Sequence, residues 1–327
     1  MASERIRHNL KDRWLEFWFA PAAARPLALC RIAFYGLLFV YYLTYDFGVW
    51  ALAPADSWAP TPPFLIFDVP RASHELLVLL QFAWKAALLC ACLGLATRAA
   101  TAASFGLGLY LIGVMRSVSM NHTDAALILV LGIMAVARCS DACALDRWLI
   151  GRTRLQASRP SGDYRWPVQL IQIATILPLF VAGISKLRHA GLEWVFSDTL
   201  AIVLLQNHFR TDPLLPWGVE LARYGWLCQL LAAGALITEL ALPLALVSVR
   251  ARLLLIPGAL GLLLGFRLFL GPNFAPLMIC YVFWLPWRQI TDTLMHQIRT
   301  RPGLAALCPA HLRPALAPAQ SRHTRPR

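Results

Sequence analysis

The chain has 327 residues, of which 58% are hydrophobic and only 14% charged, and its formal net charge is +13. A soluble domain carries about 25% charged residues, so the composition excludes an ordinary cytosolic enzyme, a disordered chain and a disulfide-stapled secreted module. It predicts an all-α polytopic membrane helix bundle whose first partner is the lipid bilayer. Residues 1–25 read as a cytoplasmic amphipathic segment, with Trp14, Phe17, Trp18 and Phe19 near the headgroups. Glu4, Asp12 and Glu16, and the late start of the apolar run, argue against a cleaved signal peptide. A spanning helix needs about 20 apolar residues. Eight runs approach that length within 26–290, so about eight transmembrane helices are expected: 26–45, 75–97, 99–118, 122–137, 166–187, 224–249, 253–270 and 272–287. The fourth and eighth are short. The connections 46–74 and 206–223, rich in Pro and aromatic residues, are expected to fold as short interfacial pieces. Residues 291–327, rich in Pro, Ala, Arg and His, read as a cytoplasmic, disordered tail.

Orientation follows from where Lys and Arg fall. With the N-terminus inside, about 21 of the 30 lie on the cytoplasmic side. The outer segments hold Arg71, Arg116, Lys186, Arg188, Arg210 and Arg223. Both termini are therefore expected inside, at the inner (plasma) membrane of a bacterium. The same spread of basic residues over several loops argues against nucleic acid as a partner. Cys139 and Cys143 form a CxxxC. No second ligand pair accompanies it, so no metal site is expected.

Ionisable residues inside a membrane are costly and mark function by default. Arg31, Lys85, Lys186, Glu239 and Arg267 are the candidates, with Asn121 and His122 opening the fourth run. Each has a plain structural reading. Lys186 and Arg267 can snorkel to the headgroups. Arg31 can pair with Glu239, and Lys85 can snorkel or pair with Glu239. Asn121, His122 and Thr123 can cap a helix. The sharper reading uses topology: His122 and Lys186 fall on the same outer side. Ala182 and Gly183, one turn before Lys186, leave room for a flat ligand or another helix. Loss of hydration favours a neutral amine, and a neutral amine is a base.

The stretch Phe180-Val-Ala-Gly-Ile-Ser-Lys186-Leu, followed by Trp194 and by Gln206-Asn-His208, resembles the signature of the vitamin K-dependent γ-carboxylase-like transmembrane domain, also called the horizontally transferred transmembrane (HTTM) domain. Leu27-Ala-Leu-Cys-Arg31-Ile-Ala-Phe-Tyr-Gly36, Asn121-His122, Leu145-Asp146-Arg147 and Glu239-Leu-Ala-Leu-Pro243 are similar to further pieces of that pattern. The resemblance implies a reduced quinone of the vitamin K or menaquinone type as cofactor and a γ-carboxylase-like or other quinone-dependent modification of a peptide or protein. It implies Lys186 as the catalytic base that deprotonates the hydroquinone, with His122 and Asn121 in support. It covers the transmembrane part alone, and the stretch Phe266–Asn273 carries Arg267 where the carboxylase has His. The alternative is a non-catalytic membrane maturation or export partner, or scaffold, for a secreted peptide or membrane protein. A coupled transporter is disfavoured, since no inverted halves are visible.

Overall fold

A computed structural model describes residues 2–119, 124–146, 159–211 and 213–300. Among these residues no strand forms; β-type pairing is limited to an isolated bridge between Ala22 and Ser161. The chain divides into two units, Met1–Trp284 and Leu285–Arg327.

The first unit opens with α1 (Ala2–Phe19) and α2 (Ala24–Tyr42). α3 (His74–Leu93), α4 (Thr97–Val118) and α5 (Ala125–Val136) follow, then α6 (Trp166–Ala190) and α7 (Thr199–Arg210). α8 (Gly225–Ala241), α9 (Val249–Gly265) and α10 (Ala275–Cys280) complete it. The second unit holds α11 (Trp287–Thr300), which crosses the 290/291 boundary expected from composition.

Among the described residues five segments are long and apolar enough to cross a membrane: Ala24–Tyr42, His74–Leu93, Thr97–Val118, Gly162–Ala190 and Val249–Leu270. The other three expected spans are apolar helices too, but shorter: Ala125–Val136, Gly225–Ala241 and Ala275–Trp284. Two breaks account for much of the difference from eight. Pro243 has no backbone N–H to extend α8, so the run expected at 224–249 stops at Ala241 and resumes as the single turn Leu244–Val247. The run expected at 272–287 is α10 followed by a 3-10 turn, Tyr281–Trp284. Those ten residues rise about 15 Å if fully α-helical, half a hydrocarbon core.

α3 packs along both α2 and α4. Its buried Trp84 donates to Ser104 O at 2.9 Å, and the indole lies where a Cβ on Gly108 would stand at 3.1 Å. Tyr42 and Phe47 close on the same ring at 4.8 and 5.6 Å. A second core joins Ala126 of α5, Ile176 and Leu179 of α6, Ala259 and Leu263 of α9, and Leu277, Tyr281 and Trp284. Trp284 Nε1 donates to Thr175 Oγ1 at 2.9 Å, and Gln172 Nε2 to Phe283 O at 3.0 Å, so the broken tenth element is tied to α6 through polar atoms. α1 docks by its end: Phe17 O accepts from Arg165 Nε and Gln169 Nε2, while Trp14 and Phe19 stay exposed.

The α3–α4 turn is held by a segment from the far side of α5. Gly94 adopts φ 76, the left-handed conformation that ends α3. Asp146 then accepts from Ala96 N (2.6 Å), Thr97 N (2.8 Å) and Thr97 Oγ1 (2.9 Å), capping α4 from 50 residues away. Partial burial works against the charge of this carboxyl, but these bonds, with Arg31 nearby, outweigh it and hold it below its ordinary range. A depressed carboxyl stabilises the fold above its unfolded range, and that contribution is lost as pH falls through the folded value. Asp146→Ala is therefore expected to cost about 1 kcal/mol near neutral pH, the size of a lost N-cap. The difference from wild type should shrink on acidification, which thermal unfolding in detergent at a series of pH values would measure.

Candidate functional site

α6 and α8 pack side by side, and Gly183 lies in the contact. A Cβ placed there would stand 2.9 Å from Glu239 Cβ and 3.2 Å from Leu240. The missing side chain lets α8 approach, and Lys186, three residues on, then reaches the carboxylate. Lys186 Nζ donates to Glu239 Oε1 in a close ion pair. The lysine side chain is 17% exposed and the glutamate 0%. The chain turns back beyond Ala190 at Gly191, whose φ of 59° and ψ of −143° suit only glycine. The short helix Glu193–Phe196 follows and sets the Trp194 ring 5.1 Å from Lys186 Nζ, within cation–π range. Gln229 Nε2 of α8 donates to Phe196 O at 3.3 Å and pins this turn to the second helix.

Two polar atoms in this corner have no hydrogen-bond partner although buried: Trp194 Nε1 and Glu239 Oε2. One is a donor and the other an acceptor. The unpartnered Trp194 Nε1 donor beside Lys186 Nζ suits a phenolic oxygen, the group a hydroquinone would present. His208 Nδ1 is a third unpartnered buried atom. Its helix packs Ala201 and Leu204 on Cys228, about three turns along α8 from Glu239.

The other intramembrane charges go elsewhere. Arg31, fully buried, donates to Cys139 O at 3.3 Å and Cys143 O at 2.6 Å. The expected pairing with Glu239 is therefore replaced: Arg31 lashes the 139–143 loop to α2. Lys85 Nζ donates to Leu43 O (3.1 Å) and Tyr45 O (2.9 Å), capping α2 rather than meeting Glu239. Arg267 sits in a π-helical turn, Phe266–Leu270, and donates to Gly271 O at 2.8 Å. Carbonyls of that turn are met by Leu215 N and Thr211 Oγ1. Asn121 and His122 lie outside the described residues. The chain that follows them enters α5, whose Ala126 shares a cluster with Ile176 and Leu179 of α6.

Lys186 and Glu239 each stand out in the sequence, but the cation that meets Glu239 is Lys186 and neither Arg31 nor Lys85. Gly183 was the available signal, since it marks the face of α6 on which a second helix closes. Among the described residues no group of three or more His, Cys, Asp or Glu is placed to hold a metal ion. No family model matches the chain, and neither does any curated protein or solved structure.

Lys186→Met leaves a carboxylate buried without its cation, which costs about 3–5 kcal/mol. Adding Glu239→Leu removes the stranded group, and the double variant should recover most of that loss. Thermal unfolding of the two single variants and the double variant in detergent gives the cycle; equal losses that simply add would mean the pair is not coupled.

Proposed function

We propose that the chain is a polytopic bacterial inner-membrane protein of the γ-carboxylase-like (HTTM) type, with both termini cytoplasmic, in which Lys186 is the base of a quinone-linked modification of a peptide or protein. One observation carries the reading. A lysine of low exposure sits between an indole face and a buried carboxylate, with an orphan donor and an orphan acceptor beside it. Such a constellation is more than a packing device requires.

A reduced quinone of the vitamin K or menaquinone type would supply a weakly acidic hydroxyl and an electron-rich ring. Lys186 Nζ, once it is the neutral amine, takes the hydroxyl proton. Trp194 Nε1 donates to a ligand oxygen, and its ring excludes water from one side of the ammonium. The apolar walls of α6 and α8 keep the exchange between protein atoms rather than bulk water. Asn121 and His122 take the supporting role that the resemblance implies for them.

A second reading has its own observation: the ion pair and the Gly183 contact alone would register α6 against α8. In that reading the protein is a non-catalytic maturation or export partner. The test uses purified protein in lipid nanodiscs with menadiol and oxygen. Wild type is expected to accelerate menadiol oxidation, and Lys186→Ala to lower that rate by about 100-fold, the scale of a lost general base. The exchanged variant, Lys186→Glu with Glu239→Lys, keeps a pair but moves the amine to α8. It should fold and remain slow; full biological function in this variant would favour the scaffold.

A further inference from the structure

Glu239 has properties that holding two helices together does not require. Its side chain has no solvent exposure, yet only Oε1 is bonded; Oε2 is buried and bare. An ionised carboxylate offers about four acceptor sites. Leaving a whole oxygen unsatisfied in apolar surroundings penalises the anion far more than the neutral acid. The choice of cation points the same way. The chain contains 27 arginines and three lysines, Lys11, Lys85 and Lys186. A guanidinium is the better permanent partner for a carboxylate and does not give up its proton in proteins. The one fully buried cation fixed to backbone carbonyls among the described residues, Arg31, is an arginine, while Lys85 caps carbonyls from a partly exposed position. Against Glu239 the chain uses the cation that can become neutral. Gly183 completes the arrangement. With no side chain between the helices, the carboxylate is held against Nζ and away from water.

We infer that Glu239 takes up the proton that the Lys186 ammonium must give up before its amine can accept one from a phenolic hydroxyl. This rests on the reading of Lys186 as a base. In the first transfer an Nζ–H bond breaks and an O–H bond forms on Glu239 Oε1. Ammonium and carboxylate become amine and carboxylic acid, and the pair stays neutral overall. The amine lone pair then accepts the hydroxyl proton. The ligand O–H bond breaks, its electron pair stays on oxygen, and Nζ–H is restored. Lys186 ends as an ammonium beside the phenolate, and Glu239 ends as an acid. The net charge of the corner is zero at every stage, so no uncompensated charge is formed in the apolar bundle. Glu239 acts through Lys186, as a positioning and proton-holding residue.

The test binds naphthol, a phenol that is not consumed by oxygen on the time scale of the measurement, to the full chain in nanodiscs at neutral pH. Ultraviolet absorption reports whether the bound ring is naphthol or naphtholate. Infrared difference spectra, bound minus free, report whether a carboxylic-acid C=O band appears. The expected result is naphtholate together with one new acid band, lost completely in Glu239→Gln. Glutamate labelled with heavy carbon at its carboxyl shifts that band in the wild-type protein, which assigns it even if Glu239→Gln does not fold. Naphtholate without an acid band overturns the role of Glu239 and leaves Lys186 as base. Naphthol that stays neutral, or does not bind, overturns the base reading and the inference with it.

Discussion

A carboxylate shut away from water inside an apolar bundle has to meet a cation or give up its charge. Glu239 meets Lys186, and the surrounding residues make that meeting possible. Gly183 removes the side chain that would hold α6 and α8 apart, and Gly191 turns the chain so that Trp194 returns over the ammonium. At an effective dielectric of about 20, opposite charges 4 Å apart attract by about 4 kcal/mol, which is of the order of the cost of bringing them out of water. The pair therefore adds little net stability. What it adds is register, because sliding α8 along α6 by one turn would strand both charges.

The remaining cations within the bundle solve a different problem. Where a helix ends or irregular backbone lies within the bundle, carbonyls are left without donors, and lipid supplies none. Arg31 meets the carbonyls of the 139–143 loop, and Lys85 those beyond α2. Arg267 and Thr211 serve the π-helical turn that ends α9. Asp146 does the converse for the bare N–H groups of α4. These residues are charged because the breaks in the helices need strong hydrogen-bonding groups, and their roles are complete once those groups are met. Lys186 differs because its partner is a carboxylate with an oxygen to spare.

The contrast explains which parts of the architecture could be read from residue order. Helix positions were legible because apolar runs and their flanking polar residues are local: the runs expected at 75–97, 99–118 and 166–187 begin within two residues of α3, α4 and α6. The lengths of the later runs were not, because hydropathy does not register the missing N–H of Pro243 or the tightening of Tyr281–Trp284. Charge partners were the least legible. Pairing reasoned from sequence matches acid to base, whereas Arg31 and Lys85 found backbone carbonyls, and every residue carries one. Once those two cations were taken, Glu239 was left to Lys186, a result that depends on which helices are neighbours.

The asymmetry within the pair also orders what an incoming molecule would encounter. Lys186 retains some exposure and Glu239 none, so of the two side chains only the lysine can be reached from outside. The indole of Trp194 covers one flank of that nitrogen. Anything that reaches the corner touches the ammonium and the ring first and senses the carboxylate only through them. A pair built only to bind two helices gains nothing from that order, since attraction is indifferent to which partner is outermost. A base needs it: the group that exchanges protons must be in front, and the group that stores its charge must sit where water cannot neutralise it.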